Sequence, residues 1–184
     1  MPRAFLAIPG GDSLCETVRR LQSELAAELP EARWTRPEQV HLTLRFFGDM
    51  PEETLEKIGA VMLSVGRLYA PFRAELVGVG AFPSPNEPRV LWLGVNGDAP
   101  LAALYAALDV PLKTLGIPAE PRPFFPHLTL GRSRSPLPGA GEVLARYRHR
   151  RYGMLTADRL VLYESRLAPE GAEHRPRRIV PLAK

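Results

Sequence analysis

The tetrapeptide His-Leu-Thr-Leu occurs twice, at 41–44 and at 127–130. A strand turns alternate side chains to opposite faces, so each His and Thr share one face and the two Leu share the other. The Leu belong to a core. The imidazoles and hydroxyls must then meet water, a ligand or another polar surface. Two imidazoles facing each other suit hydrolysis of a phosphodiester. Imidazole titrates near neutrality, so one ring can be neutral and take a proton from water while its partner gives one to a leaving oxygen. The Thr hydroxyls can hold non-bridging phosphate oxygens. Arg45 shares strand parity with His41 and Thr43, which offers a cation for transition-state charge. Arg132 is one residue out of parity with His127, and a bulge at Gly131 would re-aim it.

A single such tetrapeptide is more simply read as a strand with satisfied polar side chains. Its setting changes that reading. PRAFLAIPGGD at 2–12 matches PRVLWLGVNGD at 88–98, and Pro37 matches Pro123, both at the 86-residue offset that separates the two HLTL copies. A duplication can keep its core Leu without keeping both His and both Thr on the outer face. The chain is therefore read as two similar halves of one bilobal domain over 1–184, starting near 2 and 88.

Each half opens on a short apolar run (3–8; 89–95) with strand character, followed by a Gly-Asp turn and a helix. In the first half Ser13-x-x-Glu16 has the form of a capping box. Leu14, Val18, Leu21, Leu25 and Leu29 then form an apolar stripe, as do Leu101, Leu104, Leu108, Leu112 and Leu115 in the second half. Pro111 is expected to kink or split that second helix. Each unit ends on the strand that carries HLTL. A further helix follows Asp49-x-x-Glu52, a strand covers 72–79, and 133–142 reads as a loop. A short helix at 140–148, strands near 151–166 and 176–182, and a turn at Ala168–Glu173 complete the chain. The fold class is α+β: two similar sheet-and-helix lobes, pseudo-twofold symmetric, around a central cleft.

Composition narrows the rest. The chain has 184 residues, 45% of them apolar, which is enough for a substantial core. No apolar run approaches the length of a membrane span, and the first residues lack the form of a signal peptide. Cys15 is the single cysteine, so no internal disulfide forms and a reducing cytoplasm is expected. Net charge is +4, with 13 basic against 5 acidic residues in 122–184. A basic C-terminal third suits either an anionic partner such as RNA or an ordinary solvated face. Metal-ligand spacings are missing, and so are phosphate-loop, dinucleotide-binding and nucleophile-elbow motifs. No metal and no cofactor are expected.

The stretch Trp34-x-x-Pro37-x-x-x-His41-Leu-Thr-Leu-Arg-Phe-Phe-Gly48, with Pro126-His127-Leu-Thr-Leu-Gly-Arg132, resembles the two-histidine phosphoesterases. The closest branch is the RNA 2',3'-cyclic phosphodiesterases, also called 2'-5' RNA ligase-like proteins. The opening RAFLAIP and closing LVLYESRLAPEG are similar to that branch too. The resemblance implies a bilobal fold and opening of an RNA 2',3'-cyclic phosphate to a 2'-phosphate, with no metal. His41 would be the proton donor and His127 the proton acceptor. Thr43, Thr129, Arg45 and Arg132 would bind phosphate. Phe5 and Phe47 are the aromatics expected to stack a base, Phe47 by parity with His41 and Phe5 because its strand should lie beside the motif strand. Where relatives carry an aromatic residue after the final Gly-containing turn, this chain has His174, read as a surface residue. The partner expected is RNA or an oligonucleotide with a cyclic phosphate end, acted on by a monomer away from any membrane. The alternative reading is an RNA-binding or 2'-5' RNA-joining protein using the same cleft.

Overall fold

The computed structural model describes residues 1–168 and 171–183, with the backbone alone for residues 167, 168 and 171. Strand β1 (Arg3–Pro9) leads into helix α1 (Gly11–Glu28). The short β2 (Arg33–Trp34) and a 3-10 turn (Pro37–Gln39) precede β3 (His41–Asp49). Helix α2 (Glu52–Gly66), β4 (Phe72–Pro83), β5 (Pro88–Val95) and α3 (Ala99–Thr114) follow. The second motif strand is β6 (His127–Arg132), and then come α4 (Ala140–Ala145), β7 (Arg151–Ala157), β8 (Arg159–Ala168) and β9 (Gly171–Pro181).

The strands form one antiparallel sheet in the order β7-β4-β5-β6-β3-β1-β8-β9, with β2 added on β6. The two halves meet at β3 and β6, where Leu42 pairs with Leu128. Both Leu are fully buried. They join the α1 stripe of Leu14, Val18, Leu21 and Leu25 and the α3 stripe of Leu101, Leu104, Leu108 and Leu112 in a single hydrophobic cluster. Removing either central Leu would open a cavity beneath the motif strands, at a cost of about 3–5 kcal/mol.

Several local expectations differ from the fold. Helix α1 already starts at Gly11, and no side chain caps it. Ser13 therefore lies inside the first turn, where its backbone carbonyl accepts from Thr17 Oγ1 at 3.2 Å. Helix α3 runs through Pro111 without splitting, because Leu108 and Leu112 on either side stay anchored in the core. The strand region near 151–166 breaks at Asp158 into β7 and β8, which lie in opposite halves of the sheet. The turn expected at 168–173 falls partly outside the described residues.

Candidate active site

The site follows from the single pairing at the sheet centre. Because β3 and β6 are antiparallel with Leu42 opposite Leu128, the same register sets His41 beside Thr129 and Thr43 beside His127. All four side chains stand on the face opposite the two Leu. The two His are diagonal neighbours, a separation of roughly 7–8 Å between strand positions, which leaves room for a phosphorus between the rings.

Both imidazoles are held in the same way. His41 Nδ1 lies 2.7 Å from the Gln39 carbonyl, and His127 Nδ1 lies 2.7 Å from the Phe125 carbonyl. A carbonyl only accepts, so each Nδ1 carries the hydrogen and each neutral ring keeps the lone pair of its Nε2. The chain repeats one device: the carbonyl two residues before the His selects its tautomer.

Aromatic rings fix the imidazole planes. Phe5 stacks on His41 with centroids 4.8 Å apart at 25°, and Tyr163 packs against both rings, 5.2 Å from Phe5 and 5.9 Å from His41. On the other side Phe82 meets His127 edge-on at 5.1 Å. Burial among these rings disfavours the imidazolium. It holds His41 well below the ordinary histidine range, at about 4, with nearby His174 and His127 adding to the effect. Burial lowers His127 as well, and the neighbouring Arg132 acts in the same direction.

A cavity of about 860 Å³ opens over this face, lined among others by His41, Thr43, Thr129, Arg132, Phe5 and Phe46. His174 lines it too, which corrects its reading as a surface residue. Its ring stands perpendicular to that of His41 at 5.3 Å, and its buried Nδ1 has no hydrogen-bond partner among the described residues. The pairing of β9 with β8 carries His174 opposite Ser165 and so back to the cleft.

Strand parity fails beyond Thr43, and the cause is a bulge. Leu6 of β1 pairs with Arg45, yet the next residue, Ala7, pairs with Thr43, so Leu44 is an extra residue in β3. Leu44 and Arg45 are consequently both buried. Arg45 points away from the cleft, where Nη1 reaches Asp109 Oδ1 of α3 at 3.0 Å and Nη2 donates to the Pro118 carbonyl. It is therefore not brought to the site as parity required. Because that bulge reverses the parity, Phe47 turns into the core and Phe46 is left 62% exposed on the cleft side, the reverse of the sequence expectation, and a second bulge follows at Phe47. Phe5 does line the cavity but is only 2% exposed, packed among His41, Tyr163, Phe46 and His174, which leaves little of its ring for a base.

The same bulge recurs in β6. Leu91 pairs with Gly131 and Trp92 with Thr129, which leaves Leu130 as the extra residue. Here the outcome matches the sequence reading, because Arg132 emerges exposed on the cavity. A Cβ at Gly131 would lie 2.9 Å from the Arg33 carbonyl and 3.0 Å from Trp34, so glycine lets β2 pair at this point. Sequence reasoning missed Gln22. Its buried amide, on α1, donates to the Leu130 carbonyl at 2.9 Å and the Thr35 carbonyl at 2.7 Å, which pins the bulge that aims Arg132. The signal available was a polar residue one position beyond Leu21 in the helix stripe.

Among the described residues, no group of three or more His, Cys, Asp or Glu gathers as a metal site. No helix among them is long and apolar enough to cross a membrane.

Comparison with known proteins is consistent with this geometry. The sequence profile of the LigT-like phosphoesterases matches residues 12–92 and again 93–172. The chain is 34% identical over 171 residues to the RNA 2',3'-cyclic phosphodiesterase of Methanothermobacter thermautotrophicus, covering 92% of each chain. It is 32% identical over 177 residues to the protein of the same name from Archaeoglobus fulgidus, covering 96% of this chain and 98% of that one. Its fold superposes on the crystal structure of TT0787 of Thermus thermophilus with a TM-score of 0.85 at 29% identity, over 98% and 97% of the two chains. The chain belongs to the LigT-like phosphoesterase family.

Proposed function

We propose that this protein hydrolyses RNA ends bearing a 2',3'-cyclic phosphate and leaves a 2'-phosphate, by paired-imidazole acid–base catalysis without a metal ion. The observation that carries the reading is the Leu42–Leu128 pairing, which sets two His and two Thr on one face of one sheet. The activity named for the two archaeal relatives supports the substrate class.

In this reading the phosphate lies between the imidazoles, with the Thr43 and Thr129 hydroxyls donating to its non-bridging oxygens. Water attacks phosphorus as His127 Nε2 takes its proton. The bond from phosphorus to O3' breaks as His41 Nε2 protonates that oxygen, and the phosphate stays on O2'. Arg132 neutralises charge on the equatorial oxygens. The low proton affinity of His41 in the free protein links catalysis to binding, because the anionic phosphate favours the imidazolium that must act as acid. The exposed face of Phe46 is the surface on which a base stacks. The donor set of two His and two Thr serves proton transfer and hydrogen bonding and needs no metal. The cleft is complete within one chain, and a single cysteine suits a reducing cytoplasm.

His41→Ala and His127→Ala, assayed on cytidine 2',3'-cyclic phosphate in excess EDTA, are each expected to lower kcat by about 10²–10⁴. Either variant turning over near the wild-type rate would overturn the paired mechanism.

A further inference from the structure

We propose that the cavity continues from the reacting phosphate onto an arginine track that binds the phosphates of the RNA strand leading to the cyclic end. The preferred substrate is then a polynucleotide rather than a cyclic mononucleotide. The proposal rests on the cyclic-phosphate reading above and deepens it.

The track lies beyond Thr129, where β2, β6 and β5 run side by side. Arg33 of β2 is the direct register partner of Arg132 in β6, and Arg132 is in turn opposite Val90 of β5. Next to Val90, Arg89 donates from Nη1 to the Arg134 carbonyl at 2.6 Å. Arg33, Arg89, Arg132 and Arg134 are all exposed and all line the cavity. Among the described residues none of the four has a carboxylate partner. Several guanidinium groups elsewhere are matched with acids, as in Arg151 with Glu75 at 2.8 Å and Arg166 with Glu164 at 2.9 Å. The acid in the lining, Glu173, lies 3.7 Å from Arg175.

Like charges opposite each other on paired strands are destabilising. Arg33 facing Arg132 therefore costs stability until an anion lies between them. A cyclic phosphodiester carries one negative charge, which is too few for four guanidiniums. An RNA strand supplies one more charge per nucleotide. A nucleoside polyphosphate would also supply charge, but the arginines span three strands about 4.8 Å apart, roughly 10 Å in all. That spread fits successive nucleotides better than one compact polyphosphate.

The test compares kcat/KM for an octamer ending in a 2',3'-cyclic phosphate with that for cytidine 2',3'-cyclic phosphate, from about 50 to 200 mM KCl. In parallel, anisotropy measures the Kd of a labelled octamer ending in a 3'-phosphate. Three contacted phosphates at about −0.7 each predict a log–log salt slope near −2 for the octamer and a much shallower one for the mononucleotide. Arg33→Ala and Arg134→Ala should each lower the octamer-to-mononucleotide ratio about tenfold and flatten the octamer slope by about 0.7, while Arg33→Lys keeps the slope. Equal slopes for the two substrates, or an unchanged ratio in both Ala variants, would overturn the track. So would competition by ATP stronger than by an unlabelled 5'-hydroxyl octamer. If neither cyclic substrate is hydrolysed, the hydrolase reading fails on its own account and the anisotropy decides separately. A slope near −2 that Arg33→Ala flattens by about 0.7 upholds the track, and a flat slope, or one that Arg33→Ala leaves unchanged, overturns it.

Discussion

The two histidines are chemically similar groups placed in unequal surroundings. His41 is stacked on Phe5 and edged by His174, and burial drives its pKa to about 4. In the unfolded chain an imidazole titrates near 6.5, so between the two values the unfolded state binds more protons. The stability that His41 contributes is thus fully present above pH 6.5 and is lost as pH falls towards 4. Its share amounts to about 3 kcal/mol. Thermal melts at pH 7 and pH 4.5 should show a smaller acid-side loss in His41→Gln than in wild type, and equal losses would refute the assignment. Activity follows the same groups. The profile of kcat/KM against pH reports the free protein, in which burial depresses both imidazoles. It should be bell-shaped and centred below pH 6.5, and a centre at pH 7 or above would contradict the burial argument. Phe46 is exposed to a base, whereas Phe5 is almost wholly buried. Phe46→Ala should therefore raise KM by about 10-fold, in line with a stacking contribution of about 1–3 kcal/mol, with a smaller effect on kcat. An unchanged KM would remove Phe46 from the substrate surface.

At the scale of elements, the bulges after each Thr decide what faces the cleft. They place Arg45 of β3 at the position matched by Gly131 of β6, and Phe46 at the position matched by Arg132. The two halves therefore present different groups, an aromatic face in one and a cation in the other. Arg45 instead ties the motif strand of the first half to Asp109 of α3 in the second. Arg45→Ala is expected to cost about 1–3 kcal/mol, because it removes a buried guanidinium with its bonds to Asp109 and the Pro118 carbonyl, while the half-buried Asp109 keeps Lys113. The activity of the molecules that remain folded should stay close to wild type. Chemical denaturation with parallel assays separates these effects, and lost turnover without lost stability would return Arg45 to the phosphate. The alternation that exposed His and Thr was legible because it needs only two residues on each side of a central Leu. Arg45, Phe46 and Phe47 were not legible, because a bulge is set by the facing strand and leaves no mark in its own residue types. Arg132 was legible only because Gly131 flagged the bulge.

For the molecule as a whole, the repeat made the two-lobed sheet readable, since equal offsets in separate motifs imply equivalent strands. The exact correspondence was less accessible. Pairing equates Leu6 with Leu91 and Arg45 with Gly131, offsets of 85 and 86, so the first strands are shifted by one residue relative to their sequence match. Charge was legible in amount but not in place. The basic C-terminal third suggested an RNA surface, yet Arg146, Arg150, Arg151, Arg159, Arg166 and Arg178 are all ion-paired with acids. The arginines of the cavity come from both halves instead, and only the tertiary fold assembles them. His174 similarly reaches the cleft through a strand pairing that no local pattern announces. In the proposed reaction two imidazoles open the cyclic phosphate by releasing O3' without a metal. The most direct measurement is the position of the product phosphate, read by ³¹P NMR after hydrolysis of an oligonucleotide 2',3'-cyclic phosphate in excess EDTA. The expected product is a 2'-phosphate formed at an undiminished rate. A 3'-phosphate product, or turnover abolished by the chelator, would contradict it.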